Sequence, residues 1–344
     1  MSTALFVVPQ GIDDPTRPSG GNRYDRRLAE GLTMLGWSIR PVELAGEWPI
    51  PGPAALSRLE HELAHQPGDS LVIIDGLVMS AVAPLLSGSA HRHRLVLLVH
   101  LPQGGPEEAA VAAAASAIIT TSSWAGRWME QAYSLPAQRI HVIEPGVDQA
   151  DVVSGSDGGE RLLCVAAISP LKGQDVLVQA LALLRERRWR CTFVGSSAAD
   201  PAFAARVENS LRVHGIDHRT SFTGPLGDTA LCAAYAQADL VVVPSRTETY
   251  GMVVTEALAR GIPVVCSQAG GLPDTLGVLG DGERPGLLVA AGDSRALANA
   301  IASWLDDPAL RSGLRARARA RRASLTGWDR ASDLMARVLH GVAA

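Results

Sequence analysis

Short apolar runs alternate with helical patterns along the whole chain, and this alternation restricts the fold more than any other feature. The runs predicted as strands are 5–8, 71–74, 95–99, 117–120 and 140–143, then 162–168, 191–195, 221–224, 239–243, 264–266 and 286–289. Unbroken runs of this length, rich in Val, Ile and Leu, are typical of parallel strands with both faces covered. The sequence therefore predicts an α/β chain built from doubly wound parallel sheets.

A chain of 344 residues exceeds what one hydrophobic core usually supports, so two domains are expected. The alternation stops at residues 154–160, where Ser, Gly and Asp replace apolar residues, and then starts again. We predict an N-terminal Rossmann-like domain over 1–153, a linker over 154–160 and a C-terminal Rossmann-like domain over 161–325. Residues 326–344 form a predicted C-terminal helix.

The predicted strand 239–243 runs into a polar turn and then a helix that ends at Gly261. The first amides of a helix lack intrahelical partners, so this junction suits an anion such as phosphate. Glu248 and Glu256 bracket it, roughly 12 Å apart if the intervening residues are all helical. Carboxylates accept hydrogen bonds from the paired hydroxyls of sugars. The alternative is that both are surface acids near a helix start.

Lysine occurs once in this chain, at Lys172, whereas the 31 basic residues are otherwise all arginine. Lys172 follows the predicted strand 162–168 just as Glu248 follows 239–243. If both strands belong to one sheet, both turns lie at its carboxyl edge. A compact ammonium with three donors suits a phosphate oxygen in a tight turn, although a single lysine can also arise by chance.

The run Pro-Ser-x-x-Glu-x-Tyr-Gly, with a second Glu-Ala at Glu256, resembles the Glu-x7-Glu signature of retaining glycosyltransferases of family 4 in the GT-B superfamily. The resemblance extends over nearly the whole chain. It implies a GT-B fold, with two Rossmann-like domains facing each other across a cleft. It also implies that the C-terminal helix crosses back and packs on the first domain.

The resemblance implies roles for single residues. Lys172 would neutralise the donor diphosphate, Glu248 would contact the donor sugar and Glu256 would hold the ribose. The remaining donor-binding candidates of this half are Tyr250, Gly251 and Met252 in the turn, and Gly224 and Leu226 near the base. The family usually has an Arg where this chain has Ala167, and we hypothesise that Arg246 supplies part of that missing charge.

In the first half, candidate substrate residues follow predicted strands. Gly20 and Gly21 open a helix and are donor-binding candidates that would let the substrate approach the backbone, or they form a plain turn. His100 ends the strand 95–99, at the predicted carboxyl edge of the sheet. This place is consistent with a catalytic role in contact with substrate and equally with a structural role. Asp75 ends the strand 71–74, where Asp-Gly also makes a good turn.

The resemblance indicates an enzyme that transfers a hexosyl group from a nucleotide diphosphate sugar, UDP slightly favoured over GDP, to a hydroxyl of a small-molecule, glycan or lipid-linked acceptor. No Asp-x-Asp motif is apparent, and the resemblance implies that the diphosphate is held without a metal, so we expect neither a metal nor a cofactor. The resemblance also implies retention of anomeric configuration. A nucleotide-sugar epimerase or hydrolase of the same fold, or a non-catalytic sugar-nucleotide sensor, remain alternatives. A phosphorylase would need a lysine to bind pyridoxal phosphate. The single lysine, Lys172, matches the diphosphate position instead, which argues against a phosphorylase.

Composition limits the partners. A net charge of -4 gives no sign of nucleic-acid binding. The Arg-rich segment 311–322 is either a solvated helix face or a contact with anionic lipid. No apolar run reaches the roughly 20 residues that span a bilayer and no basic leader precedes the first strand, so a cytoplasmic protein is expected.

Acceptor specificity is expected in loops 9–24 and 44–56. The four cysteines are expected to be buried free thiols.

Overall fold

The computed structural model describes residues 2–14, 18–46, 48–86, 92–280 and 282–344. Residues 15–17 and 47 of the predicted acceptor loops therefore lie outside the described residues. The chain divides into two compact units. Unit 1 contains the first strand, Gly20–Gly146 and Thr326–Ala344, and unit 2 contains Val147–Leu325. Within the described ranges, none of the helices combines the length and apolar character that a bilayer crossing requires.

Unit 1 is built on a six-stranded parallel sheet with the order β2-β1-β3-β4-β5-β6. Its strands are β1 (Thr3–Pro9), β2 (Ser38–Leu44), β3 (Leu71–Asp75), β4 (Arg94–Val99), β5 (Ala117–Thr120) and β6 (Ile140–Val142). Its helices are α1 (Gly20–Met34), α2 (Pro53–Ala64), α3 (Met79–Val82), α4 (Pro106–Ala114), α5 (Ser123–Tyr133) and, from the end of the chain, α13 (Trp328–Ala343). The order reverses between β1 and β3, and ligands of such sheets bind at the carboxyl ends beside that switch point.

Unit 2 repeats the plan with the order β12-β11-β10-β7-β8-β9, again all parallel. Its strands are β7 (Arg161–Val165), β8 (Arg190–Val194), β9 (Thr220–Phe222), β10 (Leu240–Val243), β11 (Val264–Ser267) and β12 (Gly286–Val289). Its helices are α6 (Gln174–Leu183), α7 (Pro201–Val213), α8 (Asp228–Ala236), α9 (Met252–Ala259), α10 (Leu272–Leu276), α11 (Ser294–Asp306) and α12 (Pro308–Arg321). The switch point lies between β7 and β10. The prediction of doubly wound parallel sheets is confirmed.

One strand, β2, was not predicted from the sequence. It pairs with β1 at the edge of the sheet, and of its seven residues only Val42 and Leu44 are buried. Pro41 lies in its middle, where the missing N–H is tolerated because an edge strand has one unpaired side. An edge strand with polar and proline positions lacks the continuous apolar run by which the central strands are recognised.

The segment predicted as a linker, 154–160, lies within unit 2, and the division between the units falls after Gly146. The backbone and hydroxyl of Ser156 donate to Asp239 at 2.5 and 2.6 Å, and the indole of Trp304 donates to the carbonyl of Gly159 at 2.8 Å. A segment without apolar side chains is thus held by hydrogen bonds to buried groups, which composition alone does not reveal.

The arginines of α12 and the following turn are largely used inside unit 2. Arg311 donates to the carbonyls of Trp304 and Leu305 at 2.9 and 2.7 Å, and Arg315 donates to Ser156 at 2.7 Å. Arg322 donates to the carbonyls of Ala150 and Ala259 at 2.6 Å each. These groups fix loops onto the helix, a use that neither of the sequence-based interpretations had included.

Candidate functional site

Two strand-to-helix turns meet at the switch point of unit 2, one after β7 and one after β10. Gly173 has φ +69°, and a Cβ atom there would overlap the carbonyl oxygen of Pro244. The absence of a side chain at Gly173 therefore lets the first turn approach the second closely. The amide of Arg246 then donates to the carbonyl of Leu171 at 2.8 Å, which joins the two turns directly.

The lone lysine reaches across this junction. Lys172 Nζ lies 2.6 Å from Glu248 Oε2, and the two side chains keep 32% and 17% of their surface exposed. An ion pair that remains partly hydrated is weak, because water and salt screen it. Lys172 can therefore exchange its carboxylate partner for an incoming anion at small cost.

Helix α9 begins beside this pair, and its first amide groups lie at the junction. Its N-cap is Gly251, with φ +86°, no side chain of the described chain caps it, and its first turn carries no acid. The positive end of the helix dipole is therefore uncompensated by the helix itself. Glu248 is held by its backbone, since its carbonyl accepts from the amide of Gly271 at 3.0 Å. Met252 is the first helical residue, and Tyr250 precedes the cap with 8% of its surface exposed.

Glu256 lies one turn inside α9 and is buried with 8% exposure. Its Oε2 accepts a hydrogen bond from the hydroxyl of Tyr235 at 2.8 Å. Tyr235 itself is fully buried on α8, and the guanidinium of Arg260 lies 4.5 Å from its ring centroid. Tyr235 was not among the residues predicted from the sequence, and its bond to Glu256 was not expected.

Arg246 is engaged within the protein. Its guanidinium donates to both oxygens of Asp175, at 2.8 and 2.6 Å, and to the carbonyl of Pro170 at 2.8 Å. Burial raises the pKa of Asp175, but the hydrogen bond and charge of Arg246 outweigh it and leave that pKa below its ordinary value. The hypothesis that Arg246 replaces the missing family arginine stays a prediction, and any charge it lends is shared with Asp175.

Gly224 and Leu226 follow β9 in unit 2. The carbonyl of Gly224 accepts from the amide of Gly195 at 3.0 Å, next to the end of β8. Leu226 is partly buried and packs on the apolar cluster that includes β10. Because the strands are parallel, their loop lies at the same carboxyl edge of the sheet as the turns of Lys172 and Glu248.

In unit 1 the sequence candidates also come together. Gly20 and Gly21 are the first residues of α1, and a Cβ on Gly21 would lie 3.2 Å from Cδ2 of His100. His100 follows β4, and its Nε2 lies 2.8 Å from Asp25 Oδ1 and 3.9 Å from Asp75 Oδ2. Asp25, on α1, was not predicted, although it stands one helical turn after Gly21 and so shares its face.

The charges of this cluster are coupled. Burial raises the pKa of Asp75 well above its usual value, and the neighbouring charge of Asp25 raises it further. Burial lowers the pKa of His100, but the charge of Asp25 and the hydrogen bond to it outweigh burial and raise that pKa to about 9. The imidazole is therefore protonated at neutral pH, and the raised pKa of Asp75 favours the protonated form of that carboxyl group.

Asp25, Asp75 and His100 are also the group of His, Cys, Asp or Glu side chains in the described residues whose spacing could accommodate a metal ion, with ligand atoms within 4.8 Å of one another. In this structure His100 Nε2 lies 2.8 Å from Asp25 Oδ1, which is the distance of a hydrogen-bonded ion pair. All four cysteines are free, and Cys164, Cys191 and Cys266 are buried as predicted. The prediction of burial is wrong for Cys232, which is exposed on α8. Burial raises the pKa of the Cys164 thiol to about 12, so this group beside the Lys172 turn is no nucleophile.

The chain matches a known protein family. The family described as glycosyl transferases group 1 matches residues 148–321, just over half of the chain, and this range contains Lys172, Glu248 and Glu256. The D-inositol 3-phosphate glycosyltransferase of Kineococcus radiotolerans is 36% identical over 228 residues, covering 58% of this chain and 51% of the relative. The chain thus spans about half the length of the curated relatives it matches.

Solved structures agree with the fold. Sucrose-phosphate synthase from Thermosynechococcus elongatus superimposes with a TM-score of 0.82 at 22% identity, over 99% of both chains. Anabaena HepE in complex with UDP-glucose gives a TM-score of 0.77 at 19% identity, over 99% of this chain and 100% of HepE. The predicted GT-B class, with two Rossmann-like units, is confirmed. This chain belongs to the group 1 family of glycosyl transferases.

Proposed function

We propose that this chain is a metal-independent, retaining glycosyltransferase that moves a hexosyl group from a nucleotide diphosphate sugar, UDP favoured over GDP, to a hydroxyl acceptor. The observation that carries the proposal is the pairing of Lys172 with Glu248 beside the uncapped N-terminus of α9, at the switch point of unit 2. A cation, free amides and a sugar-binding carboxylate are the groups that a nucleotide sugar requires. The similarity in fold to HepE, which was solved in complex with UDP-glucose, supports the choice of UDP.

Each group has one task in the proposed complex. The diphosphate replaces Glu248 as the ion-pair partner of Lys172, and it accepts hydrogen bonds from the amides of Gly251 and Met252. Glu248, released from its partner, accepts from hydroxyls of the donor sugar. Glu256, oriented by Tyr235, accepts from the ribose. The loop of Gly224 and Leu226 lies near the base.

The chemistry follows from where charge develops. The bond between the anomeric carbon and the diphosphate oxygen breaks, so negative charge grows on the leaving diphosphate, where fixed donors stabilise it. The acceptor oxygen bonds to the anomeric carbon on the same face, and its proton passes to the leaving phosphate. No covalent glycosyl-enzyme forms, and Lys172 with the α9 amides takes the part that a metal ion plays elsewhere.

Unit 1 is proposed to bind the acceptor, with His100 as its substrate-contacting residue. The curated relative is named for D-inositol 3-phosphate, so that compound is the first acceptor to test. Small molecules, glycans and lipid-linked alcohols are further classes. Loops 9–24 and 44–56 are expected to choose among them.

The test is a panel of UDP- and GDP-sugars with the purified chain, read by thermal shift and by release of the nucleoside diphosphate with and without D-inositol 3-phosphate. We expect a UDP-sugar to stabilise the protein, transfer to need an acceptor, EDTA to leave the rate unchanged, and the product to keep the donor's anomeric configuration by NMR. Turnover without any acceptor would instead indicate an epimerase or hydrolase. Binding without turnover for every acceptor would indicate a sensor, and complete loss with EDTA would contradict metal independence.

A further inference from the structure

The cluster in unit 1 contains two buried carboxyl groups to which the proposed function gives no task. Asp25 and Asp75 are 0% and 2% exposed, and both lie against His100. We propose that Asp25 and Asp75 are positioning residues, which fix the ring of His100 with Nε2 inward and present Nδ1 to the substrate as a permanent hydrogen-bond donor. The proposal rests on the proposed function only in taking His100 as the residue that touches substrate.

The orientation of the ring follows from its contacts. Nε2 lies 2.8 Å from Asp25, and the ring atoms nearest to the Cβ position of Gly21 are Cδ2, Cγ and Nε2. Tyr24 presents an edge to the ring at a centroid distance of 5.4 Å. One edge of the imidazole therefore faces α1, and Nδ1 with Cε1 lies on the other edge. His100 keeps 20% of its side chain exposed, and Nδ1 has no hydrogen-bond partner among the described residues.

The second carboxyl group completes the arrangement. Asp75 Oδ1 accepts from the amide of Leu77 at 2.6 Å, so Oδ2 is left to carry a proton. Asp25 Oδ2 is buried and has no hydrogen-bond partner among the described residues, so it needs a neighbouring donor. A proton on Asp75 supplies that donor, because two adjacent buried carboxyl groups cannot both ionise.

The charges then balance inside the fold. With a protonated imidazole and one proton shared by the two carboxyl groups, the cluster is neutral as a whole and its burial is tolerable. The titratable groups facing the ring are Asp25 and Tyr24 from α1 and Asp75 from β3, and the hydroxyl of Tyr24 donates away from it, to the carbonyl of Ile143 at 2.8 Å. An imidazolium donates from both nitrogens, so Nδ1 selects an acceptor atom such as a phosphate or sugar oxygen.

The first experiment is an NMR titration of the His100 ring proton on Cε1 in the ligand-free protein, assigned with His100→Gln. We expect the wild-type ring to titrate near pH 9. In Asp25→Asn it should titrate at least two pH units lower. In Asp75→Asn, whose amide still donates to Asp25, it should stay within about one unit of wild type. A wild-type ring that titrates below pH 7, or one unmoved in Asp25→Asn, would overturn the proposal.

The second experiment measures transfer against pH. Asp25→Asn should lower kcat about 10- to 100-fold at pH 8.5, as expected for losing a charged donor, and the loss should shrink as the pH falls and the ring becomes protonated. The matched control is Asp239→Asn in unit 2, a buried aspartate that binds Arg161 and Ser156 and should lower stability without moving the His100 titration. A loss that is the same at every pH, or shared by the control, would show a merely structural role.

The two proposals fail separately. If His100 titrates near pH 9 but no sugar is transferred, the proposed function fails and the positioning role stands. If transfer is normal while His100 titrates as a free histidine, the positioning role fails alone. Elemental analysis adds a further arm, because one equivalent of a bound divalent ion, lost in Asp25→Asn, would show that a metal and not a shared proton joins the three side chains.

Discussion

The two units place a similar ion pair at the carboxyl edge of a similar sheet, yet the two pairs differ in exposure. In unit 2 the side chains of Lys172 and Glu248 keep 32% and 17% of their surface, whereas in unit 1 His100 keeps 20% and Asp25 only 1%. A partly hydrated pair is weak and can open for a ligand. A buried pair is costly to break, so it fixes geometry and protonation instead. The difference is the basis on which we propose exchange of partners in unit 2 and positioning in unit 1.

The largest effect is expected from the exposed pair. Lys172→Met should lower kcat/KM about 100- to 1000-fold, because it removes the fixed charge from the leaving diphosphate. Its thermal stability should change little, since a hydrated ion pair contributes about 1 kcal/mol or less. Lys172→Arg, which keeps a charge, is the matched control and should lose less. If steady-state kinetics show that Lys172→Met lowers kcat/KM by less than about tenfold, the contrast between the units disappears.

The buried pair should instead appear in stability. His100 has its pKa raised from 6.5 to about 9 on folding, so its stabilisation is complete below pH 6.5 and disappears as the pH rises through 9. Asp75 has the same sign, with a loss that starts near its unfolded value of 3.8. From His100 alone we expect the free energy of unfolding in urea to fall by about 3 kcal/mol between pH 6.5 and 9, and any proton that Asp75 still holds in this range adds to the fall. A flat profile, or an equal fall in Asp25→Asn, would contradict this.

A smaller effect is expected where a hydroxyl orients a carboxylate. Tyr235→Phe should raise the KM for donor about three- to tenfold, because Glu256 loses a hydrogen bond that contributes about 1 kcal/mol, with kcat nearly unchanged. Tyr133→Phe is the matched control, since its hydroxyl donates to Glu108 at 2.6 Å in unit 1. Equal KM values for the two variants would show that Tyr235 acts only through packing.

The smallest effect concerns Arg246. If it lends charge to the diphosphate while paired with Asp175, Arg246→Ala should weaken donor binding by no more than about fivefold, the scale of an exposed pair. Arg187→Ala provides the control, because Arg187 makes the same two-oxygen contact with Asp306 on another face. Donor affinity and turnover equal to wild type in Arg246→Ala would end the charge-replacement hypothesis.

The contrast also explains what the sequence could predict. Lys172 and Glu248 follow central apolar strands and carry a local signature, so their meeting at one edge could be expected before the structure. Asp25 was missed, because its partners lie at the end of β3 and just after β4, and only its helical spacing from Gly21 pointed to it. Tyr235 was missed for the same reason, since a helical tyrosine gives no sign of which carboxylate its hydroxyl will meet.

Segments without apolar runs were the other difficulty. Edge strand β2 contains Pro41 and buries two side chains, too few for a recognisable pattern. Residues 154–160 look like a linker by composition, yet their polar groups bind Asp239 and Trp304 in unit 2. In both places hydrogen bonds to distant groups, not local hydrophobicity, decide the structure.

Calorimetry with UDP, which lacks the sugar, tests most directly whether Lys172 changes partner from carboxylate to diphosphate. We predict that Lys172→Met weakens UDP binding about 10- to 100-fold, while Glu248→Gln, which frees the ammonium, leaves UDP bound at least as tightly as in wild type. Unchanged UDP affinity in Lys172→Met, or loss of binding in Glu248→Gln, would contradict the account.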